Sequence, residues 1–286
     1  MKVAVIGANG QLDSDICHVY KNAGYNICEL NHDVVDITEF GKCFDILKKN
    51  NPDFIISTAA MHNVEKCEEN PEQSFKVNGI GARNLALLCR DLCIPLVHFS
   101  TDYIFDGQKG SPYHEEDHPI PLNVYGNTKL SGENFIRNII NTFFIIRVSG
   151  LYGHHLCRAK GGKNFVQMML KLADERDEIN VVNDEFLSPT YTYNIAEQLE
   201  KLTQTDKFGI YHMVSEGSCS WYEFAKKIFQ FTGKKVKLNV ASPNEFPSKV
   251  SRPKYSVLQN RNLEKNGLNI MLNWSDNLQR YIRSLD

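Results

Sequence analysis

The N-terminal segment constrains the fold of this chain more than any other, because a strand, a glycine loop and a helix follow one another in it. Lys2–Ile6 is a largely apolar run, Gly7 and Gly10 bracket a short turn, and residues 11–23 predict a helix that ends at Gly24. Glycines here allow the backbone to approach a pyrophosphate closely, and the helix N-terminus supplies hydrogen-bond donors. The segment therefore predicts a dinucleotide-binding loop, with a glycine turn that binds no ligand as the alternative.

Short apolar runs alternate with helical patterns, which implies βαβ units and a parallel sheet with right-handed crossovers. Residues 1–150 thus predict an α/β, doubly wound, Rossmann-like dinucleotide-binding domain. The pattern changes after Gly153, and residues 151–286 predict a smaller C-terminal α/β part that mainly binds substrate. The predicted strands are 2–6, 25–30, 54–57, 96–100, 143–148, 179–182 and 209–213, and the predicted helices are 11–23, 38–50, 72–93, 125–137, 164–175, 195–203 and 221–232.

Charge and cysteine content argue against several classes of protein. The formal net charge of −2 gives no overall attraction to nucleic acid or to an anionic membrane. No apolar run approaches the roughly 20 residues that span a bilayer, and the N-terminus reads as a strand rather than a signal peptide. The eight cysteines form no C-x-x-C pair, and scattered thiols are usually free and buried. We therefore expect a cytoplasmic protein that binds neither nucleic acid nor membrane.

A tyrosine and a lysine four residues apart, Tyr125 and Lys129, share one face of the predicted helix 125–137. A free phenol has a pKa of about 10 and donates protons poorly at neutral pH, but a neighbouring ammonium lowers that pKa. Beside a nucleotide-binding loop, such a phenol suits the protonation of an alkoxide formed by hydride addition. The same spacing is common on surface helices, so the pair alone does not identify an active site.

Two positions depart from the usual dinucleotide-binding pattern. Asp13 stands where a third glycine normally lets the helix pack closely on the sheet. It either places a negative charge near the bound phosphates or simply caps the first helical turn, where acids are favoured. Asn31 and His32 follow the second strand, where a carboxylate usually binds the ribose of NAD. This favours NADPH over NADH, with an ordinary surface histidine as the alternative.

With these motifs in place, the chain resembles the extended short-chain dehydrogenase/reductase superfamily and, within it, the dTDP-4-dehydrorhamnose reductase family. The resemblance covers nearly the full length. Its main strings are Gly-Ala-Asn-Gly-Gln-Leu (7–12), Val-Asp-Ile-Thr (35–38), Ser-Thr-Asp-Tyr-Ile-Phe-Asp-Gly (100–107), Tyr-Gly-x-x-Lys-Leu-x-Gly-Glu (125–133), Leu-Tyr-Gly (151–153) and Ser-Trp-Tyr (220–222). The strings at 100–107 and 220–222 are specific to this branch.

The resemblance implies an enzyme that reduces C4 of a nucleotide-linked 4-keto-6-deoxyhexose with NADPH, or with NADH, in the synthesis of a cell-surface deoxysugar. Thr101 would polarise the keto oxygen, Tyr125 would donate the proton, and Lys129 would bind the nicotinamide ribose and lower the tyrosine pKa. The implied cofactor-binding residues are Gly7, Asn9, Gly10, Gln11, Leu12, Asn31, His32, Asp36, Ile37, Ala59, Ala60, Asn78, Ser100, Tyr125 and Lys129. The implied substrate-binding residues are His62, Val64, Tyr103, Gly150, Asn164 and Arg252. A homodimer is compatible with this family.

Departures from the family pattern concern the substrate. Gly150 replaces a tryptophan that lines the sugar pocket in the family, and His62 introduces an imidazole near the sugar. These changes indicate either a different hexose or a repacked loop with unchanged specificity. Residues 154–163 form a longer loop than is usual in the family, and this length suits either a flap over the substrate phosphates or a solvated surface loop. The histidines and the cysteine of this loop lack the spacing and the fourth ligand of a zinc site, so no metal is expected. Arg252 is a candidate clamp for the nucleotide phosphates, with an interdomain ion pair as the alternative.

Other activities of the same superfamily remain as alternatives. The related 4,6-dehydratases carry Asp-Glu after the threonine, whereas Asp102 is followed here by Tyr103, which argues against dehydration. Nucleotide-sugar epimerases share the Tyr/Lys pair but lack the string at 100–107. The regulatory subunit of methionine adenosyltransferase also resembles this family and binds a nicotinamide cofactor as a partner protein. Because Thr101, Tyr125 and Lys129 are all present, the enzyme is favoured over such a scaffold.

Overall fold

The structure is a computed structural model that describes residues 1–155, 162–242, 245–246 and 249–285 of the 286-residue chain. A six-stranded parallel sheet lies at its centre. In order across the sheet, the strands are β10 (Gly209–His212), β5 (Phe143–Val148), β4 (Leu96–Thr101), β3 (Phe54–Ser57), β1 (Lys2–Ile6) and β2 (Asn26–Leu30). The inner strands are buried almost throughout, as expected of a parallel sheet that is covered on both faces.

Helices cover both faces of this sheet. On one face, α1 (Gln11–Asn22) and α8 (Thr192–Thr203) pack against the β1 side chains that face them and form one apolar core. On the other face, α2 (Phe40–Asn50), α5 (Ala82–Leu92) and α6 (Val124–Ile139) enclose a second core. The chain between β3 and α5 is also helical, as α3 (Val64–Glu69), α4 (Pro71–Ser74) and a π-helical segment (Phe75–Gly81). The predicted doubly wound fold is confirmed.

The remaining elements form a smaller part beside the carboxyl edge of the sheet. Its helices are α7 (Phe165–Glu175), α9 (Trp221–Thr232) and α11 (Trp274–Arg283), whereas α10 (Arg261–Lys265) packs on the main sheet through Leu263. Its strands pair two by two: β6 (Leu151–Tyr152) with β9 (Thr190–Tyr191), β7 (Glu178–Val181) with β12 (Lys237–Val240), and β8 (Phe186–Leu187) with β11 (Cys219–Ser220). An aromatic core around Tyr152, Phe224 and Tyr281 holds these elements together.

The two predicted parts are not separate along the chain. β10 lies well beyond residue 150, yet it pairs with β5 in the main sheet, and α8 packs on α1. Three elements that follow residue 150, namely β10, α8 and α10, therefore belong to the main sheet and its core. The assignment of residues 151–286 mainly to substrate binding stays a prediction.

Candidate active site

The crevice between β1 and β3 is where a doubly wound sheet of this order binds its ligand, because β1 pairs with β2 on one side and with β3 on the other. Residues 7–10 follow β1 and residues 58–63 follow β3, so both loops lie at the carboxyl ends of these strands. β4 pairs with β3 and ends in Ser100 and Thr101. The fold thus brings three of the segments predicted to bind cofactor to one edge of the sheet.

The glycine loop is shaped by its contact with the segment after β3. Gly7 has φ of +100°, and a Cβ there would lie 2.4 Å from Thr58 Oγ1 and 3.2 Å from Ala59 N. Glycine is therefore required both for the backbone conformation and for the close approach. Gly10 is the N-cap of α1, so the first-turn amides, among them those of Gln11 and Leu12, lack intrahelical acceptors and are available as donors.

Asp13 occupies the third position of α1 and is almost completely buried, at 4% exposure. Its carboxylate accepts a hydrogen bond from the Gly10 backbone amide and another from Thr58 Oγ1, at 3.1 Å. Burial raises the pKa of Asp13, and these hydrogen bonds only partly oppose the increase. Asp13 therefore caps the first turn of α1, and its carboxylate also lies between the two loops of the crevice.

Several buried polar atoms near the crevice have no hydrogen-bond partner among the described residues. They include Gln11 Oε1, Ser100 Oγ and His98 Nδ1. Buried polar groups are normally satisfied, so such atoms indicate positions at which a ligand or water completes the network. Together with the glycine loop they fit a dinucleotide, whereas the Asp13 carboxylate does not favour its anionic phosphates.

Two asparagines predicted to bind cofactor carry structural hydrogen bonds. Asn31 Oδ1 accepts from the amides of Asp33 and Val34, which fixes the turn after β2 and leaves His32 exposed beside it. Asn78 is buried in the π-helical segment, where it clamps the Met61 backbone by accepting from its amide at 2.8 Å and donating to its carbonyl at 2.9 Å. Asn78 therefore positions the loop after β3 rather than presenting a free amide.

The remaining residues predicted to contact the cofactor line the same edge or its approach. Asp36 accepts from the Thr38 amide at 2.9 Å, and hydrogen bonding to Thr38 contributes to lowering its pKa despite partial burial. Ile37 is buried against the second core, and its carbonyl accepts from Asn84. Ala59, Ala60 and Asn9 are half-buried in the two loops. Direct cofactor contact by these residues stays a prediction.

Thr101 and Tyr125 are brought together at the end of β4. The Thr101 hydroxyl lies close enough to the Tyr125 phenol to act against the burial that raises the pKa of that phenol. Thr101 Oγ1 also donates to Asp102 Oδ1 at 3.0 Å, and Ser149 donates to the other oxygen of that carboxylate at 2.7 Å. The two hydroxyls predicted to act on one keto oxygen are therefore adjacent, and Asp102 orients the threonine.

The start of α6 places Tyr125 there. Asn123 caps the helix by accepting from the Gly126 amide, and its own amide donates to the Ser251 carbonyl at 2.9 Å. A Cβ at Gly126 would lie 2.1 Å from the Tyr103 carbonyl oxygen. Glycine directly after the tyrosine thus allows the helix to begin against the segment that carries Thr101.

The electrostatics of this pair differ from the prediction. Burial raises the pKa of Tyr125, and Asp102 and Cys67 add to the increase, which the Thr101 hydroxyl opposes. Lys129 is buried and bonds His98 Nε2 at 3.1 Å, so the imidazole holds its ammonium, and its predicted lowering of the Tyr125 pKa stays a prediction. Burial lowers the pKa of Lys129 to about 8, although Glu133 opposes the decrease. His98, whose pKa burial holds well below its usual value, accepts this hydrogen bond as a neutral imidazole.

Tyr103 and Arg252 lie next to the tyrosine. The rings of Tyr103 and Tyr125 meet edge to face, with centroids 6.0 Å apart. Arg252 forms an ion pair with Glu65 of α3, which is the alternative that the sequence left open for it. Its Nε is nevertheless buried without a hydrogen-bond partner among the described residues. The Arg252 charge also opposes the increase in pKa that burial causes at Tyr103 and Glu185, so the guanidinium lies within the same cluster.

Four other predicted substrate residues are less directly placed. Asn164 caps α7 with Gln167 and donates to the Gly153 carbonyl at 2.6 Å, so its amide has a structural role. Gly150 has φ of +57°, and a Cβ there would meet Leu187 Cδ1 at 2.6 Å, so Leu187 occupies the adjacent space. This favours the repacked loop over an opened pocket wall. His62 is exposed and Val64 begins α3. Residues 156–161 of the predicted flap lie outside the described residues.

Sequence reasoning missed three contributors to this site. His98 lies in β4 and Asp102 directly follows it, so their positions beside Thr101 in the sequence were an available signal. The role of Thr58 depends on its proximity to Asp13, which sequence spacing does not show. Within the described residues there is no cluster of side chains that could hold a metal ion, and no helix is long and apolar enough to cross a membrane.

Comparison with protein families gives a match over the whole chain. The model of the RmlD substrate binding domain matches residues 1–286. The chain belongs to this family.

Relatives of this RmlD family member agree in length and fold. The spore coat polysaccharide biosynthesis protein SpsK of Bacillus subtilis is 38% identical, over 99% of this chain and 97% of its own. A solved dTDP-4-dehydrorhamnose reductase of Clostridium acetobutylicum is 37% identical with a TM-score of 0.95, covering 100% of this chain and 99% of its own. That of Bacillus anthracis, solved in complex with NADP, is 37% identical with a TM-score of 0.94, covering 99% of each. The predicted family is confirmed.

Proposed function

We propose that this chain is an NAD(P)H-dependent reductase of a nucleotide-linked 4-keto-6-deoxyhexose. The substrate is dTDP-4-dehydro-L-rhamnose or a close variant, the product is dTDP-L-rhamnose or its counterpart, and NADPH is the preferred cofactor. Two solved relatives carry the reductase name, and one of them holds NADP. A deoxysugar of this kind serves cell-surface polysaccharide synthesis, the process named for the Bacillus subtilis relative. A cytoplasmic location and a homodimer are further parts of this proposal.

The adjacent hydroxyls of Thr101 and Tyr125 carry the proposal. Two hydroxyls at the end of β4, beside a glycine loop, can together hold one carbonyl oxygen. The nicotinamide would supply a hydride. Tyr125 then transfers its phenolic proton to the alkoxide oxygen at C4 of the sugar.

The raised pKa of Tyr125 is consistent with this role, since the acid has to remain protonated until the alkoxide forms. Its phenolate then needs a cation, and Lys129 is the buried ammonium four residues along the same helix. With a pKa of about 8, Lys129 is mostly charged at neutral pH. Gln11, Ser100 and the amides of the glycine loop would hold the cofactor.

Substitution of Tyr125 by phenylalanine tests the assignment, because it removes only the hydroxyl. We expect kcat for NADPH oxidation with dTDP-4-keto-6-deoxy sugars to fall on the order of 10²- to 10⁴-fold. NADPH affinity, followed by tryptophan quenching, should stay within about threefold. Tyr25→Phe, on the far side of the sheet, is the matched control. An unchanged kcat in Tyr125→Phe would refute the catalytic role.

The cofactor-binding scaffold remains the second candidate, because a partner protein that does not turn over its cofactor tolerates weaker binding caused by the Asp13 charge in the crevice. Wild-type protein that binds NADPH but reduces neither dTDP- nor UDP-linked 4-keto sugars would favour the scaffold. Turnover with any of them would exclude it as the sole function.

A further inference from the structure

The Asp13 carboxylate connects the two loops of the cofactor crevice. One oxygen accepts the Gly10 amide of the loop after β1, and the other accepts the Thr58 hydroxyl of the loop after β3. A Cβ built on Gly10 would lie 2.7 Å from Asp13 Oδ1, so the carboxylate lies directly against the glycine backbone. The side chain that replaces the third glycine of the dinucleotide pattern is therefore part of the phosphate-binding loop itself.

This charge has little compensation. On its own helix, the nearby titratable groups are Asp15 and Cys17, neither of which is positively charged. His155, in the loop after β6, slightly opposes the raised pKa of Asp13. Its ring is half-exposed, however, and its Nε2 lies 3.8 Å from Asp15 Oδ1. Thr58, on the third side, is neutral. No lysine or arginine forms an ion pair with Asp13 in the part of the chain that the structure describes.

We propose that this chain binds its dinucleotide with Asp13 protonated, so that each binding event takes up one proton from solvent. The inference rests on the proposed function, because it assumes that the crevice binds NADPH. A pyrophosphate carries two negative charges, and a buried carboxylate in the same crevice opposes them strongly where water does not screen the interaction. Adding a proton to the carboxylate removes the repulsion.

The surrounding hydrogen bonds allow this protonation without movement of a heavy atom. A neutral carboxyl group is one donor and still an acceptor, so it can keep the Gly10 amide. Thr58 Oγ1 also lies 3.2 Å from the Ile6 carbonyl oxygen. When the threonine hydroxyl donates to Ile6, its oxygen can accept the new proton of Asp13. Burial, which already raises the pKa of Asp13, favours the neutral form further.

Calorimetric titration of the full chain with NADH provides the test, because NADH lacks the 2′-phosphate that titrates near pH 6. Heats measured in two buffers of different ionisation enthalpy give the number of protons taken up at each pH between 5.5 and 8.5. We expect wild-type protein to take up about one proton above pH 7.5, and its Kd to increase about tenfold per pH unit there.

Asp13→Asn is the decisive variant, because it keeps the shape and an acceptor for Gly10 but cannot titrate. We expect it to bind NADH more tightly than wild type at pH 8, to take up about one proton fewer than wild type, and to lose the tenfold increase in Kd per pH unit above pH 7.5. His155→Gln is the control for the other titratable group that acts on Asp13 and should retain the wild-type pH dependence.

Three results would overturn the inference. These are pH-independent binding by wild type, an unchanged pH dependence in Asp13→Asn, and loss of the dependence in His155→Gln, which would place the proton on the imidazole. Wild-type turnover of a 4-keto sugar nucleotide alongside any of them would leave the proposed function intact. Failure of wild type and of Asp13→Asn to bind either NADH or NADPH at any pH would overturn both.

Discussion

The ion pair between Glu133 and Arg147 offers the sharpest test of how the site is held. Glu133 is completely buried on α6, two turns after Tyr125, and Arg147 is buried on β5. The guanidinium donates from Nε to Oε1 at 3.1 Å and from Nη2 to Oε2 at 2.8 Å. Its third nitrogen donates to the Glu115 carbonyl at 3.3 Å, so all of its nitrogens have acceptors. This pair fixes α6 to the sheet.

Glu133→Gln removes the negative charge at nearly constant volume. A buried guanidinium without its counter-ion costs about 3–5 kcal/mol, and the remaining amide oxygen places this variant near the lower value. At about 2–4 °C per kcal/mol for a chain of this size, the melting temperature should fall by about 6–12 °C. Glu175→Gln, which breaks the exposed pair with Lys171, is the matched control and should cost less than about 0.5 kcal/mol.

The same substitution has a second effect that packing alone does not produce. Glu133 raises the pKa of Lys129, which is about 8 in its presence. Without that charge the pKa falls further, so the alkaline limb of kcat/KM against pH should move to lower pH. The double variant Glu133→Gln/Arg147→Met removes both buried charges and should regain most of the stability, but not the position of the limb.

Urea unfolding and thermal melts followed by circular dichroism measure the first effect, and the pH profile of NADPH oxidation measures the second. A loss below about 1 kcal/mol in Glu133→Gln would refute the buried-pair reasoning. If the alkaline limb returned to its wild-type position in the double variant, the charge of Arg147, rather than that of Glu133, would set the pKa of Lys129.

Two further predictions concern stability. Gly132→Ala should cost about 1–3 kcal/mol in urea unfolding, because its Cβ would lie 2.5 Å from the Asn78 carbonyl oxygen, whereas Gly41→Ala has open space and should not destabilise. Asp13→Asn should stabilise the protein at pH 7–8. Since the folded-state pKa of Asp13 is raised, its charge costs stability above that pKa, and the cost vanishes as the pH falls below 3.8, the ordinary aspartate pKa that applies in the unfolded chain. Thermal melts across pH would contradict this if the gain persisted at acid pH.

Elements with strong local signals were predicted to the residue. β1, β3, β5 and α9 have the predicted bounds, because each is an uninterrupted apolar run or a capped amphipathic helix. The two-residue strands β6, β8, β9 and β11 were missed, since they are too short for any periodicity and exist only through their partners. α11 was also missed, although its Asn273 cap and the spacing of Leu278, Tyr281 and Ile282 were visible in the sequence.

For the site, the sequence identified residue types better than their tasks. Thr101 and Tyr125 were assigned to one oxygen and lie together. Asn78 and Asn164 were expected to meet ligands, but each satisfies backbone groups of a neighbouring segment. Such roles depend on which loop a side chain reaches in three dimensions, and spacing along the chain does not contain that information. The same limit applies to the pKa of Tyr125, which depends on burial more than on the lysine four residues away.

An increase in pH acts against the proposed reaction through two perturbed groups of the site, Lys129 and Asp13. Lys129 carries its charge below a pKa of about 8, and in the proposed mechanism that charge stabilises the Tyr125 phenolate. Asp13, by the inference above, has to be neutral when the dinucleotide binds. Raising the pH therefore removes a required cation and creates an opposing anion within one crevice. The two effects act on different steps, because Asp13 governs binding whereas Lys129 governs proton transfer. Asp13→Asn should consequently abolish the alkaline increase in the KM for NADPH while leaving the alkaline decrease in kcat.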